Sequence, residues 1–485
     1  MSLVNETVFQ NYIDGQWVNA QSGQTVKNGN PADTNDVVGY FQASEAVDAE
    51  AAIQAAEVAF ASWKNTPIAK RASVLEKAAD YLEQNVEEIA QGLTEEEGKT
   101  LAQSKGEVLR SAQTLRFYAV EGQTYTGETF PQDDPNMTVY TYREPLGVVS
   151  VIAPWNFPIS IPARKIAPAL ITGNTVVFKP SSETPLTGYY LTKAFAEAGI
   201  PAGVFNFITG RASAVGSVLV ESTPVKAISF TGSTNAGEQI ARAARMTTRL
   251  QMELGGKNPL IVMEDADLDH AANLVVQGGF GLSGQACTGT SRVLVHKDVK
   301  AEFVEKLLAK VSALRIGPGM ENHDLGPIAT ESQMKSILKY IEIGKSEANC
   351  IYGGEQLTDG VYSNGFYVQP TIFSDVTQDM VIAKEEIFGP VIAIIDIENY
   401  EDALQKANDT EYGLSASIVT KNPTYAHRFV RDIESGTVKI NRTTTGNLVN
   451  APFGGLKRSS TATFRESGRV GLEFYTQVKT VYQGI

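Results

Sequence analysis

The chain has 485 residues, 42% hydrophobic and 20% charged, enough apolar material for two or three domains rather than one growing core. Its 41 basic and 55 acidic residues leave a formal charge of −14, which disfavours nucleic acid and anionic membrane as partners, since both need a net attraction for phosphate. The opening MSLVNETVFQNYIDGQW is not a signal peptide in pattern, and no apolar run of about 18 residues suggests a membrane span. Two cysteines make no disulfide framework and four histidines show no ligand spacing, so a reducing cytoplasm and no metal are expected.

Residues 46 to about 122 are helical in pattern. AVDAEAAIQAAEVAFASW puts Ala52, Ile53, Ala56, Phe60 and Trp63 near one stripe. AKRASVLEKAADYLEQNVEEIAQGL does the same with Val74, Leu75, Ala78, Leu82, Val86 and Ile89, and both stripes are expected to face a core. An acidic turn with Pro131 and Pro135 follows, then the alternating Thr138–Arg143, which predicts a strand after a loop. From Leu146 on, short runs rich in Val, Ile and Phe alternate with helical stretches, first GVVSVIAPW to NAGEQIARAAR, then RVLVH to SASIVTK. That alternation predicts an α/β fold with parallel sheets covered on both faces. The tail GLEFYTQVKTVYQGI ends in strand-like residues, and an unpaired terminal strand completes a sheet, its own or a partner's.

Five stretches carry candidate chemistry. In FTGSTNAG a strand ends at Gly232 and Ser233 opens a helix; such an N-terminus suits a phosphate, although a plain strand-to-helix turn capped by Ser233 reads equally from these residues alone. NTVVFKPSSETP delivers Lys179 at a strand end, placed for a ribose hydroxyl or phosphate, or simply as a surface lysine. In APWNFP, prolines on both sides fix the direction of the Asn156 amide, which makes it either a donor to a developing oxyanion or a turn residue. MELGGKNP puts Glu253 ahead of two glycines, where confinement would raise a carboxyl pKa and suit a base, or where it is simply a surface glutamate. GFGLSGQACTGTS sets Cys287 in a loop of small residues, as a buried apolar filler or as a nucleophile.

Taken in order, PWNFP, KPSSETP, FTGS, MELGGKNP, GQACTGTSR, KEEIFGPV and PFGG-K-S, with 34 positions from Glu253 to Cys287, resemble the NAD(P)-dependent aldehyde dehydrogenase superfamily along essentially the whole chain. The resemblance implies an aldehyde dehydrogenase-like fold in three parts. These are a Rossmann-type cofactor domain (1–125 and 146–254), an α/β catalytic domain (255–450) and a small β arm for oligomerisation (126–145 and 467–485). A homodimer or homotetramer is implied.

The resemblance also assigns roles. Cys287 would attack the aldehyde carbon to give a thiohemiacetal, with Asn156 and the Cys287 N–H holding the oxyanion. Hydride would leave for the nicotinamide, and Glu253 would activate the water that hydrolyses the thioester. The cofactor would lie along Ile152, Ala153, Pro154, Trp155, Lys179, Ser181, Ser182, Gly210, Phe230, Thr231, Gly232, Ser233 and Leu254, with Glu386 on the nicotinamide-side ribose and Phe388 against the nicotinamide. The small neighbours Gly284, Thr288 and Gly289 would leave room on both sides of the sulfur.

Three positions beyond Lys179, NAD-preferring relatives carry glutamate; here Ser182 stands there, so NADP is expected to serve at least as well as NAD, with Glu183 able to weaken that preference. Arg164 occupies the place where relatives acting on carboxylate-bearing semialdehydes have arginine, beside Phe157 and Phe453 as substrate contacts; an exposed helix arginine is the alternative. The segment from Asn441 to Gly468 resembles 2-oxoglutarate semialdehyde (2,5-dioxopentanoate) dehydrogenases. Gly281 stands where succinate semialdehyde enzymes carry a second arginine, which counts against that substrate. A broad or aromatic aldehyde dehydrogenase, a CoA-acylating relative and a non-catalytic binding protein are the remaining alternatives, and Glu253 argues against CoA acylation.

Overall fold

Strands made of uninterrupted Val, Ile and Phe need apolar cover on both faces, and the chain meets that need twice. The computed structural model describes residues 7–321, 323–460 and 464–484. The outermost limits expected for the cofactor domain (1–6) and the arm (485), and residues 461–463 of the Asn441–Gly468 segment, lie outside the described residues.

The first sheet has five parallel strands in the spatial order Arg249–Glu253, Val225–Thr231, Val148–Ile152, Thr175–Lys179, Phe205–Phe207. Asn11–Ile13 and Gln16–Val18 extend it antiparallel. Strand order runs outward in both directions from Val148–Ile152. The crevice between the carboxyl ends of Val148–Ile152 and Val225–Thr231 is therefore a topological switch point, the place where open α/β sheets hold ligands. The second sheet runs Asn349–Tyr352, Thr371–Ser374, Val391–Ile397, Thr290–His296, Asn258–Val262, Ser415–Val419, Thr437–Ile440, all parallel except the antiparallel edge strand Asn349–Tyr352.

The predicted helical block forms four helices, Ala46–Trp63, Ile68–Gln84, Val86–Glu97 and Leu101–Glu121. Its apolar stripes face inward: Ala52, Ile53, Ala56, Trp63, Leu75, Ala78, Leu82 and Ile89 are buried. The second stripe, continuous in pattern, is broken at Asn85, whose φ of −109° and ψ of 20° leave the helical region. Two acids of this block hold the starts of other helices. Glu96 accepts from the backbone N–H groups of Leu186 and Thr187, and Glu107 accepts from those of Ile159 and Ser160. A carboxylate there satisfies orphan amides and complements the helix dipole. The helix held by Glu107, Ser160–Ile171, carries Arg164 and Lys165.

A third, small sheet joins Thr129–Phe130, Met137–Pro145 and Thr476–Gly484, all antiparallel. Asn174 anchors it: its Oδ1 accepts from the N–H groups of Leu146 and Gly147, and its Nδ2 donates to the Tyr475 carbonyl. Tyr142, Val478 and Tyr482 stand exposed on this sheet.

Candidate active site

The parallel strands of the first sheet end on residues singled out by sequence. Ile152, Lys179, Thr231 and Glu253 are the last residues of four strands, and Gly210 lies just past the fifth. From Glu253 the chain needs only Leu254–Lys257 to reach Asn258, the first residue of the second sheet. The carboxyl end of one sheet thus abuts the amino end of the other. The two glycines of that connection are required by contact. A Cβ on Gly255 would sit 2.2 Å from Glu386 Oε2, and one on Gly256 would sit 2.7 Å from the Cys287 carbonyl oxygen.

Cys287 lies on the loop entering the strand Thr290–His296. Three successive residues before it, Leu282, Ser283 and Gly284, have φ of 55°, 53° and 73°, a left-handed run that costs roughly 1–2 kcal/mol for each non-glycine residue. Ser283 Oγ offsets part of this by donating to the Gly326 carbonyl at 2.7 Å. The loop is then pinned from below: Asn258 Nδ2 donates to the carbonyls of Cys287 and Gly289 at 2.8 and 2.9 Å. The expectation that small neighbours leave room at the sulfur needs correction. A Cβ on Gly284 would lie 2.0 Å from the Gly389 carbonyl oxygen and one on Gly289 would lie 2.9 Å from that of Ala286, so backbone packing, not free space, demands these glycines. Burial pushes the thiol up to about 12, against the nearby Arg164 charge and the Thr288 N–H, which pull it down. A raised thiol becomes a nucleophile when a base takes its proton.

Asn156 is buried and held at both ends. Its Nδ2 donates to the Gln285 carbonyl at 3.0 Å, two residues before the sulfur, which leaves its second amide hydrogen available. Its backbone carbonyl accepts from Lys99 Nζ at 2.7 Å, and Lys99 also binds Glu107 at 2.6 Å beneath the Phe157 ring. Gln285 is fixed in turn by accepting from the Ala329 N–H.

Glu253 is 3% exposed. Burial raises its pKa well above the ordinary carboxyl value and Glu466 adds repulsion, while Lys165, Arg164 and Arg465 oppose the rise. Glu466 lies below the ordinary value: burial pushes it up, but Lys165 and Arg164 together outweigh that. Lys165 Nζ bonds Glu466 at 2.8 Å and Ser229 Oγ at 3.1 Å. Glu253 Oε2 is buried with no hydrogen-bond partner among the described residues, as a group meant to meet water or substrate would be.

The switch-point crevice fits a dinucleotide. Ser233 caps the helix Thr234–Ala243; among the described residues Thr231 Oγ1 is buried without a hydrogen-bond partner, and Lys179 Nζ donates to the Pro180 carbonyl at 2.9 Å. Burial lowers the Lys179 pKa to about 8, against the pull of Glu183; an anion beside Lys179 would reverse that. Ser182 is exposed, with the Glu183 carboxylate 3.5 Å from its Oγ. At the other end Glu386 accepts from the Gly256 N–H at 2.9 Å, and burial raises it to about 7. Phe388 is held at φ 55° with its ring edge-on to Trp155 at 5.4 Å. Trp155 and Phe388 thus share one contact.

On its other side Cys287 opens into a cavity of about 370 Å³ that also touches Arg164, Phe157 and Phe453. Arg164 is not the exposed helix arginine of the alternative reading: its side chain is 14% exposed, 3.7 Å from Glu466 and 5.4 Å from the Phe453 ring centre. Its Nε is buried with no hydrogen-bond partner among the described residues. Sequence reasoning missed Lys99, Glu107, Lys165, Gln285 and Glu466. The one local hint was EEEGKT, an acidic run that ends the helix Val86–Glu97, leads into Leu101–Glu121 and is wholly buried. Among the described residues no helix is long and apolar enough to cross a membrane, and no group of three or more His, Cys, Asp or Glu could hold a metal ion.

Two parallel sheets joined end to end, with a thiol, an amide and a carboxyl gathered at the junction, define a class. The chain belongs to the aldehyde dehydrogenase family, whose model matches residues 17–481, and it is an NAD(P)-dependent oxidoreductase acting on aldehydes. It is 48% identical to the alpha-ketoglutaric semialdehyde dehydrogenase of Bacillus subtilis strain 168, over 99% of each chain. It is 44% identical to the 2,5-dioxopentanoate dehydrogenase of Saccharolobus solfataricus, over 97% of this chain and 98% of that one. The solved structure of a 3,6-anhydro-L-galactose dehydrogenase in complex with NAP superposes with a TM-score of 0.95 at 36% identity, covering 98% of this chain and 100% of that one.

Repulsion from Glu466 helps hold the Glu253 pKa up, so Glu466→Gln is expected to lower it and move the acid limb of the kcat–pH profile to lower pH. A limb that stays in place would show that the two carboxyls do not interact.

Proposed function

We propose that this enzyme oxidises a carboxylate-bearing semialdehyde, such as 2-oxoglutarate semialdehyde, to the acid, with Cys287, Asn156 and Glu253 carrying the chemistry. The observation that supports this most directly is the shared cavity. Cys287 and the half-satisfied Arg164 guanidinium line the same space, so one end of a substrate can meet the sulfur while an anionic end meets the arginine, which grips carboxylates through paired hydrogen bonds. The names of the relatives in Bacillus subtilis and Saccharolobus solfataricus agree with this substrate.

In this reading the Cys287 proton goes to Glu253, or to water held by it, and the thiolate adds to the aldehyde carbon. The oxygen that gains charge is met by the free hydrogen of the Asn156 amide and the Cys287 N–H. Lys99 and Gln285 keep that amide aimed without touching substrate. The dinucleotide, when bound, supplies the hydride acceptor. Ile152, Ala153, Pro154, Trp155, Lys179, Ser181, Ser182, Gly210, Phe230, Thr231, Gly232, Ser233 and Leu254 would hold its adenosine and phosphate part, and Glu386 and Phe388 its nicotinamide half. Once it has passed the cysteine proton to solvent, Glu253 takes a proton from the water that attacks the thioester carbon; the Cys287 sulfur leaves as thiolate and regains a proton from Glu253, and the carboxylic acid is released. A buried base with a raised pKa is matched to that task near neutral pH.

Ser182 offers no negative charge to repel a 2′-phosphate and Lys179 lies nearby, so NADP should serve at least as well as NAD. Glu183, beside Ser182, is the group that opposes it. We assign residues 1–125 and 146–254 to cofactor binding, 255–450 to catalysis and 126–145 with 467–485 to an arm. The exposed Tyr142, Val478 and Tyr482 suit the arm to a homodimer or homotetramer; a monomer by light scattering would remove that assignment.

Cys287→Ser should cut turnover by at least about a thousandfold while NADPH binding, followed by fluorescence, persists. Undiminished turnover would overturn the proposal. Arg164→Ala should raise KM for carboxylate-bearing semialdehydes about tenfold or more, and much more than for benzaldehyde; equal effects would take Arg164 out of the site. In the same assays kcat/KM with NADP should equal or exceed that with NAD, and a strong NAD preference would refute the role given to Ser182.

A further inference from the structure

The cavity at Cys287 contains a second guanidinium for which the reading above has no task. Arg110 lies on the helix Leu101–Glu121. Gln103, Gly106, Glu107 and Thr114 line the cavity with it, and their spacing of three and four residues puts them on one helix face. The four charged groups lining the cavity are not equivalent. Lys99 and Glu107 neutralise each other at 2.6 Å. Arg164 faces Glu466 at 3.7 Å. Arg110 is exposed at the mouth, and no described carboxylate lies within salt-bridge range of it. Its Nη1 donates to the Asn447 carbonyl at 3.1 Å across the cavity, which uses one of a guanidinium's five N–H donors.

We infer that Arg110 is a specificity-determining residue that receives the distal carboxylate of longer semialdehydes, with Arg164 serving anions closer to the sulfur. The two arginines differ in depth. The Arg164 side chain is only 14% exposed, whereas Arg110 stands exposed. A five-carbon semialdehyde bonded to Sγ through its aldehyde carbon extends about 5 Å to its carboxyl carbon, towards the mouth. Arg110 thereby supplies from the helix Leu101–Glu121 a second positive charge that Gly281, on the cavity wall, cannot give. The Asn447 carbonyl holds the guanidinium across the opening before substrate arrives, which reduces the ordering cost of binding.

This inference rests on the proposed substrate class, and the test separates the two. Wild type, Arg164→Ala, Arg110→Gln and Arg110→Lys are compared on 5-oxopentanoate and on pentanal, an uncharged aldehyde of equal length, with saturating cofactor. Arg110→Gln should raise the ratio of KM for 5-oxopentanoate to KM for pentanal about tenfold, with kcat for 5-oxopentanoate changing much less. Arg110→Lys should restore most of the ratio. If KM rises equally for both aldehydes, Arg110 only ties down the loop at Asn447 and the inference falls. It falls too if the ratio stays put in Arg110→Gln while wild type prefers the carboxylate and Arg164→Ala loses that preference. A wild type indifferent to the carboxylate would instead overturn the substrate class itself.

Discussion

Four residues, Leu254–Lys257, join the carboxyl end of one parallel sheet to the amino end of another, and the active site follows from that short span. With so little chain between Glu253 and Asn258, the loops at the two sheet ends must press together. Glu386 comes to lie against Gly255, the Cys287 carbonyl against Gly256, and Asn258 beneath the cysteine loop. No side chain fits at either glycine, so the pair is a steric requirement of the junction. Cys287 lines the cavity walled by Arg164 and Phe453, while the switch-point crevice opens at the carboxyl end of the first sheet.

Much of the junction is buried, and this governs its electrostatics. A charge removed from water must be paired or its pKa moves. Lys99 with Glu107, and Lys165 with Glu466, are paired by direct bonds. Glu253 shares the same positive charges at a distance and faces Glu466 as well, so its pKa rises. The Cys287 thiol is raised for the same reason. What differs between the two groups is which charges lie near: Arg164 favours the thiolate, while Glu466 disfavours the second carboxylate. A single arginine thus acts on the sulfur, on Glu253 and on the cavity wall.

Much of this was legible along the chain. Prolines around Asn156, a strand ending at Lys179, Gly232 before Ser233 and the glycines after Glu253 are local signals, because backbone conformation and capping depend on residues a few positions apart. The helical stripes from Ala52 to Ile89 were legible for the same reason, apart from the break at Asn85. The small residues around Cys287 were noticed but explained wrongly. They looked like space for ligands, whereas Gly284 is filled by the Gly389 backbone, a contact that nothing in the local sequence announces.

By itself, the sequence determined the class of fold and the order of chemistry-bearing turns, and it singled out the thiol, amide and carboxyl that we propose as the reacting groups. Only the tertiary structure decided what surrounds them. Lys165 meets Glu466 across 301 positions, Asn156 meets Gln285 across 129 and Arg110 meets Asn447 across 337. Such pairs carry no periodicity or capping pattern. Each partner alone looks like an ordinary polar residue on a helix or loop, and its energetic role exists only once burial removes the water that would otherwise satisfy it.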